Sequence, residues 1–207
     1  SSALQIPFAA IAINWDKRYV PFPYWPPSVH YKQVVSGQAI LSRYPISDNQ
    51  RIVLEKVPTN PFYYNALYLD RVAQVAKIDF AGETLIVINI HLEAFDGPTR
   101  TRQSEFVRAL AEDYAAEYPV LLIGDFNSSL NRPAEGNSRS IQIFLDSPTL
   151  ASAIPPASQP EALTFPADQP TSTLDYIFYT PDTLEVLDWK IVKEAAQASD
   201  HLPVQAT

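Results

Sequence analysis

The sequence predicts an α/β sandwich of layered sheets, and three observations carry that reading. Segments with two-residue alternation outnumber segments with helical spacing. A strand pair over 67–92 is followed by one long amphipathic segment and then a continuous apolar strand, the order of a hairpin feeding a helical crossover. The chain has 207 residues, 46% of them apolar and 18% charged, which is enough to bury one large core and predicts a single domain over 1–207.

Taken in order, residues 1–16 read as the end of a helix, with Leu4, Phe8, Ile11 and Trp15 at helical spacing. The stretch Tyr19-Val20-Pro21-Phe22-Pro23-Tyr24-Trp25-Pro26-Pro27 excludes a helix interior and a central strand, because proline lacks the N–H both require. It is either a loop packed on the body by its rings or an aromatic wall beside a binding site, with Trp25 the candidate contact. Residues 38–43 form a short strand stopped by Tyr44-Pro45.

Residues 67–80 alternate, with Val72, Gln74, Ala76, Ile78 and Phe80 on one side and Arg71, Ala73, Val75, Lys77 and Asp79 on the other. Ala81-Gly82-Glu83 turns this strand into 84–92, predicting an antiparallel hairpin. From Pro98 to Tyr118 the period changes, and Phe106, Val107, Leu110, Ala111, Tyr114, Ala115 and Tyr118 mark one helix face. Pro98 suits the first turn and Pro119 ends the helix. Val120–Phe126 is a continuous apolar run, the pattern of a strand covered on both faces. Residues 128–138 read as a polar loop, 140–145 as a short helix and 147–172 as a long surface connection. Strands over 174–179 and 184–192, a loop at Asp200-His201 and a last strand at Val204 complete the chain.

Three polar clusters have no packing reason to be where they are. Asn89-Ile90-His91-Leu92-Glu93, Gly124-Asp125-Phe126-Asn127 and Ser199-Asp200-His201 sit at or beyond apolar runs. Residues two apart on a strand point the same way, so Asn89 shares a direction with His91, and Asp125 with Asn127. A carboxylate, imidazoles and amides at the ends of buried strands are what metal-assisted hydrolysis of a phosphate ester needs. The anion repels hydroxide, so charge must be neutralised, a water aligned and the leaving oxygen protonated. His91 is a candidate for the last task, and Asp125 or His201 with Asn127 for the second. Arg100 and Arg102 follow at the helix start and are either phosphate contacts or ordinary surface charge.

Composition narrows the partners. A net charge of −8 disfavours a protein that grips nucleic acid through phosphate neutralisation alone. An acidic chain still handles phosphate when a divalent cation supplies positive charge locally. The absence of Cys excludes disulfides and thiolate metal sites and leaves the redox compartment open. No apolar run approaches a membrane span. The chain begins at Ser1-Ser2 and has no Met, which predicts a natural start upstream. Localisation is therefore left open, with the cytoplasm favoured over secretion or the periplasm. A monomer is expected.

Five segments together resemble the endonuclease/exonuclease/phosphatase superfamily. They are Gly37–Ile46, Asn89–Glu93, Gly124–Asn127, Leu174-Asp175-Tyr176-Ile177 and Ser199–Pro203, in the order the family carries them and across nearly the whole chain. The resemblance implies a four-layer α/β/β/α sandwich of two mixed sheets flanked by helices. It implies a hydrolase acting on a phosphodiester or phosphomonoester (nucleic acid, lipid or sugar phosphate) with Mg²⁺ or Mn²⁺. By the same resemblance Asp125 and Asn127 hold the attacking water and the phosphate. Asp200 with Asp125 lies on the metal side, His201 stands at the phosphate or water, and Asp175 orients His201. His91 donates to a phosphate oxygen or the leaving group, and Asn89 borders the substrate. Family members also carry an early Leu-Gln-Glu whose Glu is the main metal ligand. Here Leu4-Gln5 is followed by Ile6, so that Glu is expected upstream of Ser1. A chain lacking it natively would instead be a noncatalytic binding module with the same fold.

Overall fold

Six strands form the central sheet, and the chain's chemistry sits at one end of it. The computed structural model describes residues 6–23, 25–131, 138–195 and 198–207. A long antiparallel hairpin comes first, β1 (Phe8–Val20) paired with β2 (Lys32–Ser42) from Phe8↔Ser42 to Val20↔Lys32. This corrects the helix expected over 1–16, of which Leu4 lies outside the described residues. Ala10, Ala12 and Asn14 are buried at two-residue spacing, with Val20 at the strand's end, while Ile11 and Ile13 face outward. Phe8, Ile11 and Trp15 match a helical spacing by coincidence; strand pairing along the whole segment overrides it.

The central sheet has the order β3 (Ile46–Val53), β4 (Val72–Phe80), β5 (Glu83–His91), β6 (Val120–Asp125), β8 (Asp175–Tyr179), β7 (Ala151–Ser152). β3 (Ile46–Val53) is an edge strand that sequence patterning missed, because its middle, Asp48-Asn49-Gln50-Arg51, is polar and half or fully exposed. A short helix, α1 (Phe62–Leu67), precedes β4 (Val72–Phe80), which forms the expected hairpin with β5 (Glu83–His91). β4 is buried from Val72 to Ala76 on both sides, not on one. The helix α2 (Gly97–Ala115) starts where Asp96 accepts a hydrogen bond from the Thr99 N–H, a cap reinforced by Pro98. It carries the chain across to β6 (Val120–Asp125), parallel to β5. The helix α3 (Ser138–Leu145) follows, its Ile141 N–H bound by the buried Ser128 hydroxyl.

The connection over 147–172 departs from the expected surface loop. It contributes β7 (Ala151–Ser152) to the sheet and buries Leu150, Ala153, Ile154, Ala162 and Thr164. Its proline, serine and alanine content hides this. The buried backbone is satisfied by bonds such as Ala153 N–H to Ile177 O. The strand β8 (Asp175–Tyr179) pairs antiparallel with β6. The chain ends in an antiparallel ribbon of β9 (Trp189–Ile191) and β10 (Val204–Ala206).

One sheet face packs on α2 and α3 through Ile86, Ile88, Ile90, Val107, Ala111, Leu122, Ile141, Phe144 and Phe178. The opposite face carries Ala76, Ile78 and Val87, met by Ile40 of β2, with Leu121 and Ile123 half-buried beside them. The architecture is a mixed α/β sandwich, as expected. Among the described residues the strands outside the central sheet form two separate two-stranded ribbons, β1–β2 and β9–β10. No described helix is long and apolar enough to cross a membrane.

Candidate active site

Sheet register assembles the site. His91 is the partner of Asp125 across the parallel β5–β6 pair, and Asp125 is the partner of Asp175 across β6–β8. Three chemistry-bearing residues therefore lie on one rung of three adjacent strands. Neighbours on that rung face the same way, away from the helices, because Ile90, Leu122, Tyr176 and Phe178 point into the helix-side core. Asn89 lies one pleat back from His91 on the same face, so the shared direction expected of that pair is observed.

Gly124 makes the rung possible. Its φ is +130°, and a Cβ there would stand 2.1 Å from the Ile90 carbonyl oxygen. Only glycine lets β6 run this close to β5 just before Asp125. After Asp125 the strand ends. Phe126 turns inward among Phe144, Tyr176 and Phe178, and its N–H binds Leu174 O. Asn127 takes a left-handed conformation (φ +48°), one that asparagine tolerates. It reaches the cleft through this turn and not through strand alternation. Its N–H donates to Asp125 Oδ1 (2.8 Å) and its Nδ2 to Leu92 O (3.0 Å).

His201 arrives from the loop before β10. Its Nδ1 lies 2.7 Å from Asp175 Oδ2, and its ring packs on Phe165 at 4.8 Å between centroids. Asp175 is itself held from behind, since the buried Thr164 hydroxyl accepts from the N–H groups of Leu174 (3.0 Å) and Asp175 (3.3 Å). His91, Asp125, Asp175 and His201 border two hollows at once, a cleft of 750 Å³ and a groove of 490 Å³. Asn127 and Asp200 line the cleft, and Asn89 lines the groove.

The electrostatics follow from burial and mutual distance. The Asp125 carboxyl is pushed up to about 7, first by burial and then by the Asp175 carboxylate, against the pull of the Asn127 N–H, His201 and Arg71. The His91 imidazole is pushed down to about 3 by burial, with Arg71 and His201 adding repulsion. At neutral pH it is uncharged, 3.5 Å from Asp125 Oδ2. His201 moves the other way, raised chiefly by its hydrogen bond with Asp175.

The donor set fits a hard divalent cation. Asp125, Asp175 and His201 offer ligand atoms all within 4.8 Å of one another, and the exposed Asp200 borders the same cleft. A buried carboxyl driven towards neutrality by a neighbouring carboxylate marks uncompensated negative charge, which a cation relieves.

Two candidate substrate contacts stand elsewhere. Arg100 is 1% exposed, and its Nη1 donates to the carbonyls of Glu93 (2.9 Å) and Ala94 (3.0 Å). It braces the loop beneath the site and does not line the cleft. Trp25 is 80% exposed on the β1–β2 connection and lines neither hollow. Arg102 pairs with Glu55 at the surface. Sequence reasoning missed Arg71, Tyr68, Phe95 and Phe165, all of which line the cleft. The one signal available for Arg71 was a cation at the head of an otherwise buried strand.

Among solved structures, the mannosyl-6-phosphatase of Bacteroides thetaiotaomicron superposes with a TM-score of 0.65 at 18% identity, over 97% of this chain and 77% of that one. The human Nocturnin catalytic domain gives 0.64 at 20% identity, over 100% and 74%. A humanized D. rerio TDP2 gives 0.61 at 15%, over 95% and 75%. These likenesses establish the shared fold. No curated protein matches the chain. The profile of the Endonuclease/Exonuclease/phosphatase family matches residues 3–201, so the chain belongs to that family.

Proposed function

We propose that this protein hydrolyses a phosphate ester with an activated water, at the rung formed by His91, Asp125 and Asp175. The observation that carries the reading is that rung itself, completed by His201 on Asp175 at 2.7 Å. Family membership supports the reaction class.

Each residue has a task suited to its surroundings. Asp125, with Asn127 beside it, aligns the water and takes its proton. The hydrogen bond that His201 Nδ1–H donates to Asp175 fixes the ring's orientation and favours its protonated form, in which Nε2–H donates to a phosphoryl oxygen or the departing oxygen. His91 is neutral and contributes a hydrogen bond to the phosphate, not a full proton. Asn89, on the same face, borders the substrate. Asp125 and Asp200 would hold Mg²⁺ or Mn²⁺, which when bound supplies positive charge to the phosphate and acidifies water. Arg71 is the sole Lys or Arg among the described residues lining either hollow, which supports a small phosphate ester over a long nucleic-acid track.

The test is release of nitrophenol from nitrophenyl phosphate and bis-nitrophenyl phosphate with Mg²⁺ or Mn²⁺, then with EDTA. Rates in Asp125→Asn and His201→Ala are expected to fall about 10²–10⁴-fold. Equal rates in both variants and the parent protein would remove the assigned site.

A further inference from the structure

Phe95 lines the 750 Å³ cleft beside His91 and Asp125, yet it is 82% exposed. Two other aromatic rings, Tyr68 and Phe165, line that cleft among the described residues. Each of those already packs on the protein, Phe165 on His201 at 4.8 Å between centroids and Tyr68 on Tyr64 at 5.0 Å. Phe95 belongs to neither buried cluster of the core, so its apolar area does nothing for folding. The turn that carries it is nevertheless held rigid. It joins β5, which ends at His91, to α2, which starts at Gly97. The Phe95 N–H donates to Glu93 Oε1 (3.0 Å), and the N–H of the buried Glu93 donates to Gln103 Oε1 (2.8 Å). Arg100 Nη1 donates to the Ala94 carbonyl (3.0 Å), and Asp96 Oδ1 accepts from the Thr99 N–H (2.8 Å). Each residue from Glu93 to Asp96 is thus tied down while the phenyl ring is left in water.

An aromatic ring on a turn ordered in advance loses little freedom on binding and offers a large apolar contact. A cleft of 750 Å³ has room for a whole small molecule, not a phosphoryl group alone. We infer that Phe95 determines specificity by stacking on a ring in the alcohol half of the substrate. The preferred ester then joins its phosphate to an alcohol bearing a ring with a flat apolar face, such as a nucleoside or a pyranose. This rests on the phosphate-ester reading above. The alcohol half is uncharged, because Asp175 and Asp200 border the same space and repel a second anion.

The test compares ligands that differ only beyond the phosphate. Inhibition constants of glycerol 3-phosphate, glucose 6-phosphate and adenosine 5′-monophosphate are measured with Mg²⁺ against hydrolysis of whichever nitrophenyl ester the protein cleaves. All three carry a phosphate on a primary alcohol, so the phosphate contacts cancel and the ring is what differs. A ring-bearing ligand is expected to bind about 10-fold more tightly than glycerol 3-phosphate. Preference for both ring-bearing ligands assigns any flat apolar face, and preference for one alone assigns a nucleobase or a pyranose. Phe95→Ala should bring the ratio within about 3-fold of unity, and Phe95→Trp should restore it. Phe62→Ala is the control, since that ring is 85% exposed but lines neither hollow, and the ratio should not move. A parent protein without preference, or a preference that survives Phe95→Ala, overturns the inference and leaves the proposed function standing. A parent that cleaves neither nitrophenyl ester overturns the proposed function and this inference with it.

Discussion

His91 Nε2 stands 3.5 Å from Asp125 Oδ2 because the two residues are register partners on adjacent parallel strands. Backbone pairing, not a flexible loop, sets that distance. The same holds one strand further, where Asp125 opposes Asp175. A site built on rungs is positioned as well as the sheet is, and the predictions below probe that dependence.

Gly124→Ala should break the rung. The added Cβ meets the Ile90 oxygen at 2.1 Å, at a φ of +130° that alanine avoids. A destabilisation of about 3 kcal/mol or more is expected, read by urea unfolding. Gly82→Ala is the control, since its φ is +91° but nothing lies within 4 Å. It should cost only about 1 kcal/mol. Equal losses at the two positions would refute the close-approach account.

Asp125→Asn should stabilise the metal-free protein at alkaline pH. The folded carboxyl titrates near 7, against a usual value of 3.8, so ionising it costs more in the native state. Its contribution is fully present below about pH 4 and is lost as pH rises through 7. Asparagine carries no such penalty. At pH 8 with EDTA the variant should be more stable by about 2 kcal/mol, with the difference gone at pH 4. Denaturation curves at the two pH values decide it.

Asp175→Asn should lower the titration point of His201, because the hydrogen bond with the carboxylate is the main force raising it. The His201 ring proton signal, followed by NMR against pH, reports this directly. A fall in kcat/KM of about 10²-fold should accompany it. An unmoved titration point would mean that Asp175 does not hold the ring.

Thr164→Val keeps the shape and removes the hydroxyl that accepts from Leu174 and Asp175. Thr164 is fully buried, so the two N–H groups find no water. The expected loss is about 1–3 kcal/mol in thermal or urea unfolding. Activity should fall beyond what the lost stability explains, since Asp175 is no longer anchored.

Long periodic segments were legible in sequence. The β4–β5 hairpin, α2 and β6 carry their period over enough residues to outweigh accidents. Short or partly exposed elements were not. Residues 8–16, read as the end of a helix because three apolar residues fall at helical spacing, belong to β1, which pairs with β2 along its length. The polar middle of β3 hid an edge strand that needs no apolar face on its open side. At the site, Asn89, His91, Asp125, Asn127, Asp175, Asp200 and His201 were all named from sequence, and each borders at least one of the two hollows. Arg100 and Trp25 were named with them and do not.

The sequence by itself determined which polar residues end buried strands, and in what order, because strand periodicity is a local property. Only the tertiary structure decided which of them meet. The β5–β6–β8 register, closed by the approach at Gly124, puts His91, Asp125 and Asp175 on one rung. The return of the chain's end brings His201 onto Asp175. Arg71 shows the limit most plainly: it lines the cleft with His91 and Asp125 and pairs with Glu93, all distant from it in sequence.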